Sequence, residues 1–455
     1  MPNSFPLNSK SEAQSPKETT AEIVHNKKIN TGTLLSIQHR IARNTDHHRM
    51  SMCARYAIKT PWSAPTIEGY NGRVRVTGTQ LCRNSLCPLC STIRSKKDAD
   101  ELERMITYLV PKGWILYFLT FTKSKCPNIK NSYLANREAV KNLNQYARNQ
   151  KKNHDVETIR YSIMEDTYSK EPLIYGKGED ATRITTAHNH VHSLYAFPPH
   201  SSKKDRERML QGATRTWWAT MKKHGFWVSK KGTDVKLIDD SIFTHTKISK
   251  YLSGIITDKT NLHKELSYSQ NKVSKGRSLA QLMMDIDNKG LKEDLKAYKD
   301  TINTYFHKQR AFKSGNWKKY LKLATEYHDH ELNRLATHYV ESLKMSFDRI
   351  ERIKKFSPTS YSFMENLKKC KEDLNVNHFI IEFPQDLWDY MGQKKNIIPK
   401  LIRAVSIASS GQSIPISIQV LKDFVDRRPN YSNEFLKYDK EVEEIVDTIN
   451  SEIRL

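Results

Sequence analysis

The stretch "TTAHNHVHSLYAF", Thr185 to Phe197, constrains the fold of this chain more than any other. His188, His190 and His192 alternate with Asn189 and Val191, and an apolar tail follows. Successive side chains of a β-strand point to opposite faces, so the three imidazoles line one side. Leu194, Tyr195 and Phe197 suit a pleated, half-buried surface. Three histidines on one face each need a partner if buried. They are either solvated or structurally hydrogen-bonded residues, or a metal or acid/base site, since imidazole is the commonest metal ligand.

A second constraint comes from the cysteines. Of Cys53, Cys82, Cys87, Cys90, Cys126 and Cys370, three sit together in "LCRNSLCPLC". In a cytosolic chain of this size, clustered cysteines suggest metal rather than disulfides. The turn in "CPLC" lets two thiolates converge on one ion, and tetrahedral Zn²⁺ takes four ligands. Cys53 in "MSMCARY" is the natural fourth. Four thiolates leave no open position, so the expected site is structural.

The remaining pattern organises the chain around these two features. Residues 1–31, rich in Ser, Lys and Pro, are expected to be a disordered tail. A Cys-rich zinc module and helix are expected over 32–110. "STIRSKKDADELERMITYLVPKG" reads as the helix, with Ala99, Leu102, Met105, Ile106 and Leu109 at helical spacing and Pro111 and Gly113 at its end. "WILYFLTFTKS" reads as a buried strand and "TIRYSIMEDTYS" as a second, carrying Glu165. "KKDRERMLQGATRTWWATMKKHG" reads as an amphipathic helix with Trp217 and Trp218 in the core. "GFWVSKKGTDVKLID" reads as a hairpin or strand, and "HTKISKYLSGI" as a helix. The region 111–260 is therefore an α+β sheet domain. Residues 261–455 are mostly helical and charged, with one helical stripe from Leu332 to Ile350.

The charge balance narrows the partners. The formal net charge is +25, from 75 Lys and Arg against 50 Asp and Glu. An excess of this size favours nucleic acid first and an anionic membrane surface second. "WILYFLTF" is far short of the roughly 20 residues that span a bilayer. The N-terminus has no apolar run like that of a signal peptide, so a cytoplasmic location is expected. No phosphate-binding loop of the nucleotide-driven motors is present.

In order, these segments resemble the small-plasmid rolling-circle replication initiators of the HUH endonuclease superfamily. "CRNSLCPLC" looks like the family's Cys-rich segment, with Cys53 in the place of its upstream cysteine. "FLTFTKS" is similar to the first motif. "SIMEDTYS" resembles the strand with Glu-x-Thr-Tyr. "HNHVHSLYAF" is similar to the His-x-His motif, where the pair is His190 and His192. "ISKYLSG" resembles the Lys-Tyr motif that carries the nucleophile, here Tyr251 beside Lys250. A weaker match, "KQRAFKSGNWKKYLK", resembles a downstream Lys/Arg-rich segment and nominates Arg310 and Lys313 as DNA contacts.

The resemblance implies an HUH-type antiparallel sheet flanked by helices. It also implies metal-dependent nicking and joining of single-stranded DNA at a plasmid double-strand origin. Tyr251 would attack the scissile phosphate and keep the 5′ end as a phosphotyrosine, freeing a 3′ hydroxyl to prime synthesis. His190 and His192, with Glu165 or His188 as third ligand, would hold Mn²⁺ or Mg²⁺. Host helicase and DNA polymerase are the implied partners, and a homodimer is compatible with the chemistry. The family's glutamate four residues before the tyrosine is Lys247 here. Lys247 would bind phosphate rather than activate water. Two further classes share these features: a transposase or mobilisation relaxase of the same superfamily, and a non-catalytic zinc-stapled DNA-binding regulator.

Overall fold

The computed structural model describes residues 31–43, 47–58, 64–70, 73–175, 181–229, 232–238, 276–306, 308–343, 347–372, 378–394 and 396–409. Helices α1 (Thr31–Arg43) and α2 (His48–Ser51) lead into strands β1 (Thr66–Tyr70) and β2 (Arg73–Thr77), then α3 (Pro88–Leu109). The central run is β3 (Ile115–Thr122), α4 (Ile129–His154), β4 (Ile159–Tyr168), β5 (Leu173–Tyr175), β6 (Thr182–Ile184), β7 (Ala187–Phe197), α5 (Lys203–Lys223) and β8 (Thr233–Ile238). After it come α6 (Leu279–Lys289), α7 (Lys292–Tyr305), β9 (Ala311–Ser314), α8 (Trp317–Leu343), α9 (Phe347–Lys355) and α10 (Ser360–Glu372). The last described elements are β10 (His378–Glu382), α11 (Gln385–Gln393) and α12 (Ile397–Ala408).

The fold is α+β. A five-stranded sheet in the order β8-β3-β7-β4-β9 is antiparallel throughout. Its two faces follow from strict alternation along each strand. One face carries Leu119 and Phe121 from β3 and Val191, Tyr195 and Phe197 from β7, all buried with Tyr133, Ala139 and Leu143 of α4 and Met209 and Trp217 of α5. These two helices lie close because Gly212 has no Cβ to meet the Tyr146 ring. The other face buries Leu116, Tyr161, Ile163 and Leu194 under Leu102, Met105 and Ile106 of α3 and Ala324 of α8. That cover lies over one end of the face and leaves the histidine end of β7 outside it.

The helix that starts at the cysteines is set by its first turn. Cys87 occupies the N-cap and Pro88 the first helical position, where a missing N–H costs nothing. The helix runs on to Leu109, and the chain turns at Gly113, whose φ of 78° is left-handed.

Several expectations are altered by the tertiary arrangement. The stripe from Leu332 to Ile350 spans two helices, α8 and α9, rather than one. The long helix α4, which no motif marked, supplies much of the core behind the histidine strand. The chain also crosses the expected boundary at residue 260 twice. β9 forms the outer edge of the main sheet against β4. β10 pairs antiparallel with β1 in a three-stranded sheet, with Ile67 opposite Ile381.

Candidate metal centre

β4 and β7 are neighbours in the sheet, and their register puts Glu165 directly opposite His190, with His192 opposite Ile163. Glu165, His190 and His192 therefore share one face. The Nε2 atoms of His190 and His192 each lie 3.1 Å from the same carboxylate oxygen, Glu165 Oε2. The three ligand atoms lie within 4.8 Å of one another. Glu165 and His192 are buried, while His190 keeps 14% of its side chain exposed and marks the open side.

The neighbouring strand orients His192. Thr120 faces it across β3 and β7, and its hydroxyl lies 3.1 Å from His192 Nδ1. The Phe118 ring stacks on the imidazole at 5.4 Å between centroids. Together these hold Nε2 toward Glu165. Two imidazole nitrogens and one carboxylate oxygen suit a borderline divalent cation, and three protein ligands leave positions for water or substrate. The residues thus fit a divalent cation. Of the two candidates for a third ligand, Glu165 joins the pair and His188 does not. His188 stands aside, its ring 5.8 Å from that of His190. Burial, and then the charges of His190, Lys123 and Lys125, push its pKa down to about 4.

The opposite face of the same two strands carries a buried polar chain that no motif foretold. Lys123 donates to the Ser132 hydroxyl, Ser132 to Asn189 Oδ1, and Asn189 Nδ2 to Asp166 Oδ1. Tyr305 donates to the same Asp166 oxygen at 2.8 Å. Arg310 Nη2 reaches Asp166 Oδ2 at 2.6 Å. Burial lowers the Lys123 pKa to about 8. Asn189 lies between two histidines of the strand and Asp166 follows Glu165, so this chain ties together the strands that bear the candidate metal ligands.

Arg310 and Lys313, nominated as DNA contacts, are engaged within the chain instead. Arg310 is buried, paired with Asp166 and placed over the Tyr305 ring at 4.6 Å. Lys313 bridges Asp98 at 3.0 Å and Glu101 at 2.5 Å on α3. Basic residues in a segment that becomes an edge strand spend their charge on acids from the elements beside it. Lys247, Lys250 and Tyr251 lie outside the described residues.

A second cluster joins Cys53, Cys82, Cys87 and Cys90, all buried and all free thiols. Their sulfurs are 3.5–3.6 Å apart in the pairs Cys53–Cys87, Cys53–Cys90 and Cys82–Cys90. Tetrahedral Zn²⁺ with Zn–S bonds of about 2.3 Å has S···S edges of about 3.8 Å, so the donor set fits that ion. Gln38 Nε2 donates to Cys87 Sγ at 3.5 Å. Although burial opposes ionisation, hydrogen bonds from the other three thiols hold the Cys87 pKa well below the ordinary thiol value. These are the two candidate metal groups among the described residues.

An antiparallel five-stranded sheet with a Glu/His/His group on one face, beside a buried four-cysteine cluster, defines an α+β protein built around two candidate metal sites. Over residues 73–238 the chain matches the family model described as Replication protein. That match supports a rolling-circle replication initiator acting in plasmid replication initiation, with which the HUH superfamily is consistent. The matched span contains Glu165, His190, His192, Cys82, Cys87 and Cys90, and excludes Cys53 and Tyr251. No curated protein and no solved structure matches the chain. Among the described residues no helix is long and apolar enough to cross a membrane.

Proposed function

We propose that this protein initiates plasmid rolling-circle replication by metal-dependent nicking and joining of single-stranded DNA at the double-strand origin. The observation that carries the reading is the convergence of His190 and His192 Nε2 on one oxygen of Glu165, at 3.1 Å each. A bound divalent cation would polarise the scissile phosphate and neutralise charge gathering on its oxygens. Glu165, His190 and His192 would hold it, and Mn²⁺ or Mg²⁺ suits these donors.

Tyr251 is assigned as the nucleophile. Its phenolate oxygen bonds to phosphorus while the bond from phosphorus to the 3′ oxygen breaks. The departing 3′ oxygen takes up a proton to become the primer hydroxyl, and the 5′ phosphate stays on the tyrosine. Lys250 and Lys247 are assigned to the phosphate or the phenolate. A lysine at 247 is a poor general base unless its pKa falls by several units, so hydrolytic release of the phosphotyrosine should be slow. Cys53, Cys82, Cys87 and Cys90 are assigned to a structural Zn²⁺. Helicase and polymerase of the host would act on the nicked origin.

The test is incubation of the protein with a single-stranded origin oligonucleotide and Mn²⁺. A covalent adduct should form with wild type and vanish in Tyr251→Phe, while Tyr251→Phe still binds the DNA. An adduct of undiminished yield in Tyr251→Phe would overturn the assignment.

A further inference from the structure

The loop after α5 presents one large aromatic side chain to solvent. Gly225, with a φ of 75°, ends the helix in a left-handed conformation that a Cβ disfavours. The chain then alternates. Phe226 and Val228 pack against the main core, and Trp227 between them points outward with 70% of its surface exposed.

The loop is anchored rather than loose. Phe226 N–H donates to Met221 O at 2.9 Å, and the Lys123 ammonium lies 4.7 Å from the Phe226 ring. Trp227 itself is held through its backbone. Ser124 N–H donates to Trp227 O at 2.9 Å, and Trp227 N–H donates to Ser124 Oγ at 3.3 Å. A lone exposed apolar residue needs no explanation by itself. A tryptophan fixed at both backbone groups, with its indole left in water, is a different case.

Its place on the sheet gives it a use. Ser124 lies between the Thr122–His190 pair and the Cys126–Ala187 bridge, and so runs beside His188. From His188 to Ser124 to Trp227 is two inter-strand spacings of about 4.8 Å, or about 10 Å. Lys125, the next residue after Ser124, is exposed. Trp217 and Trp218 lack this freedom. Trp217 is buried with its indole N–H on Thr122 O at 3.3 Å, and the Trp218 indole N–H donates to Thr233 Oγ1 at 3.1 Å.

We infer that Trp227 is a stacking platform for a base of single-stranded DNA that flanks the phosphate at the Glu165/His190/His192 centre, with Lys125 on the adjacent phosphate. This rests on the nicking reading above, and it adds the residues that grip the strand. Every base has a π face, so an exposed indole binds single strands with little regard to sequence, whereas a duplex keeps its bases stacked on each other. The excess of basic residues supplies the matching charge.

The probe is a short fluorescein-labelled oligo-dT, read by anisotropy and compared with a blunt duplex of equal length. Trp227→Ala should weaken oligo-dT binding about tenfold and Trp227→Phe should restore most of it. Duplex binding should change less than about twofold in both. Lys125→Ala should lower the slope of log affinity against log salt by about one. Oligo-dT binding by Trp227→Ala within about twofold of wild type, or an equal loss on the duplex, overturns the inference. The adduct assay on wild type keeps the two readings apart. An adduct with unchanged Trp227→Ala binding sinks the platform alone, and selective loss of oligo-dT binding without a wild-type adduct sinks nicking alone.

Discussion

Arg310 Nη2 lies 2.6 Å from Asp166 Oδ2, and both side chains are buried behind the strand that carries Glu165. The pair joins the residue just before β9, from beyond the central region, to β4 at the position next to a candidate metal-ligating residue. Removing one member of a buried pair strands the other charge without solvent. Arg310→Ala should therefore destabilise the protein by about 3–5 kcal/mol, measured by urea unfolding. A loss under about 1 kcal/mol would show that water enters and solvates Asp166.

At the metal centre, His190→Ala or His192→Ala should abolish adduct formation, and excess EDTA should do the same to wild type. Each substitution would delete one of the three candidate protein ligands. Thr120→Val is the finer test. It removes the hydroxyl that orients His192 Nδ1 and should raise the Mn²⁺ concentration needed for half-maximal adduct by about 10-fold or more. Full nicking in excess chelator would sink the metal-dependent reading.

For the cysteine cluster, protein purified without chelator should contain about one Zn²⁺ per chain by elemental analysis. Cys87→Ser should lose the metal and the helical signal of the N-terminal region, because a Zn²⁺ held by Cys87 would fix the chain where α3 begins. Metal-free, fully folded wild type would refute the assignment.

Acid should destabilise the protein through His328. Burial, then the charge of Arg104, pushes its pKa down to about 4 from an ordinary 6.5, and its Nε2 meets the Thr107 hydroxyl at 2.8 Å where α8 crosses α3. The folded state keeps this imidazole neutral while the unfolded chain protonates it near 6.5. Stability is thus intact above pH 6.5 and falls as pH drops from there to about 4. His328→Gln should flatten that decline by about 3 kcal/mol in urea unfolding at the two ends of the window. An unchanged slope would assign the decline to other groups.

Much of this protein could be read along the chain. A strand repeats every two residues and a helix every 3.6, so the histidine strand, the Glu165 strand and the helix after "CPLC" follow from local pattern alone. Alternation also puts His188, His190 and His192 on one face without any knowledge of neighbours. What alternation cannot supply is register. Which of Glu165 and His188 completes the ligand set depends on β4 lying beside β7 with Glu165 opposite His190. That pairing is set by burial of both strands against α4 and α5. The resemblance likewise nominated Arg310 and Lys313 as DNA contacts, while the fold pairs each with acids distant in sequence. Trp227 shows the converse. Its neighbours Phe226 and Val228 share its apolar character, and only the backbone pairing with Ser124 decides that they go inward and the indole remains in water. Periodicity is a property of neighbours along the chain, so sequence alone determined the histidine strand, the Glu165 strand and the helix after "CPLC". Partners across the sheet are set by packing between distant segments, so tertiary structure alone decided which charges stay free and which ligand atoms converge.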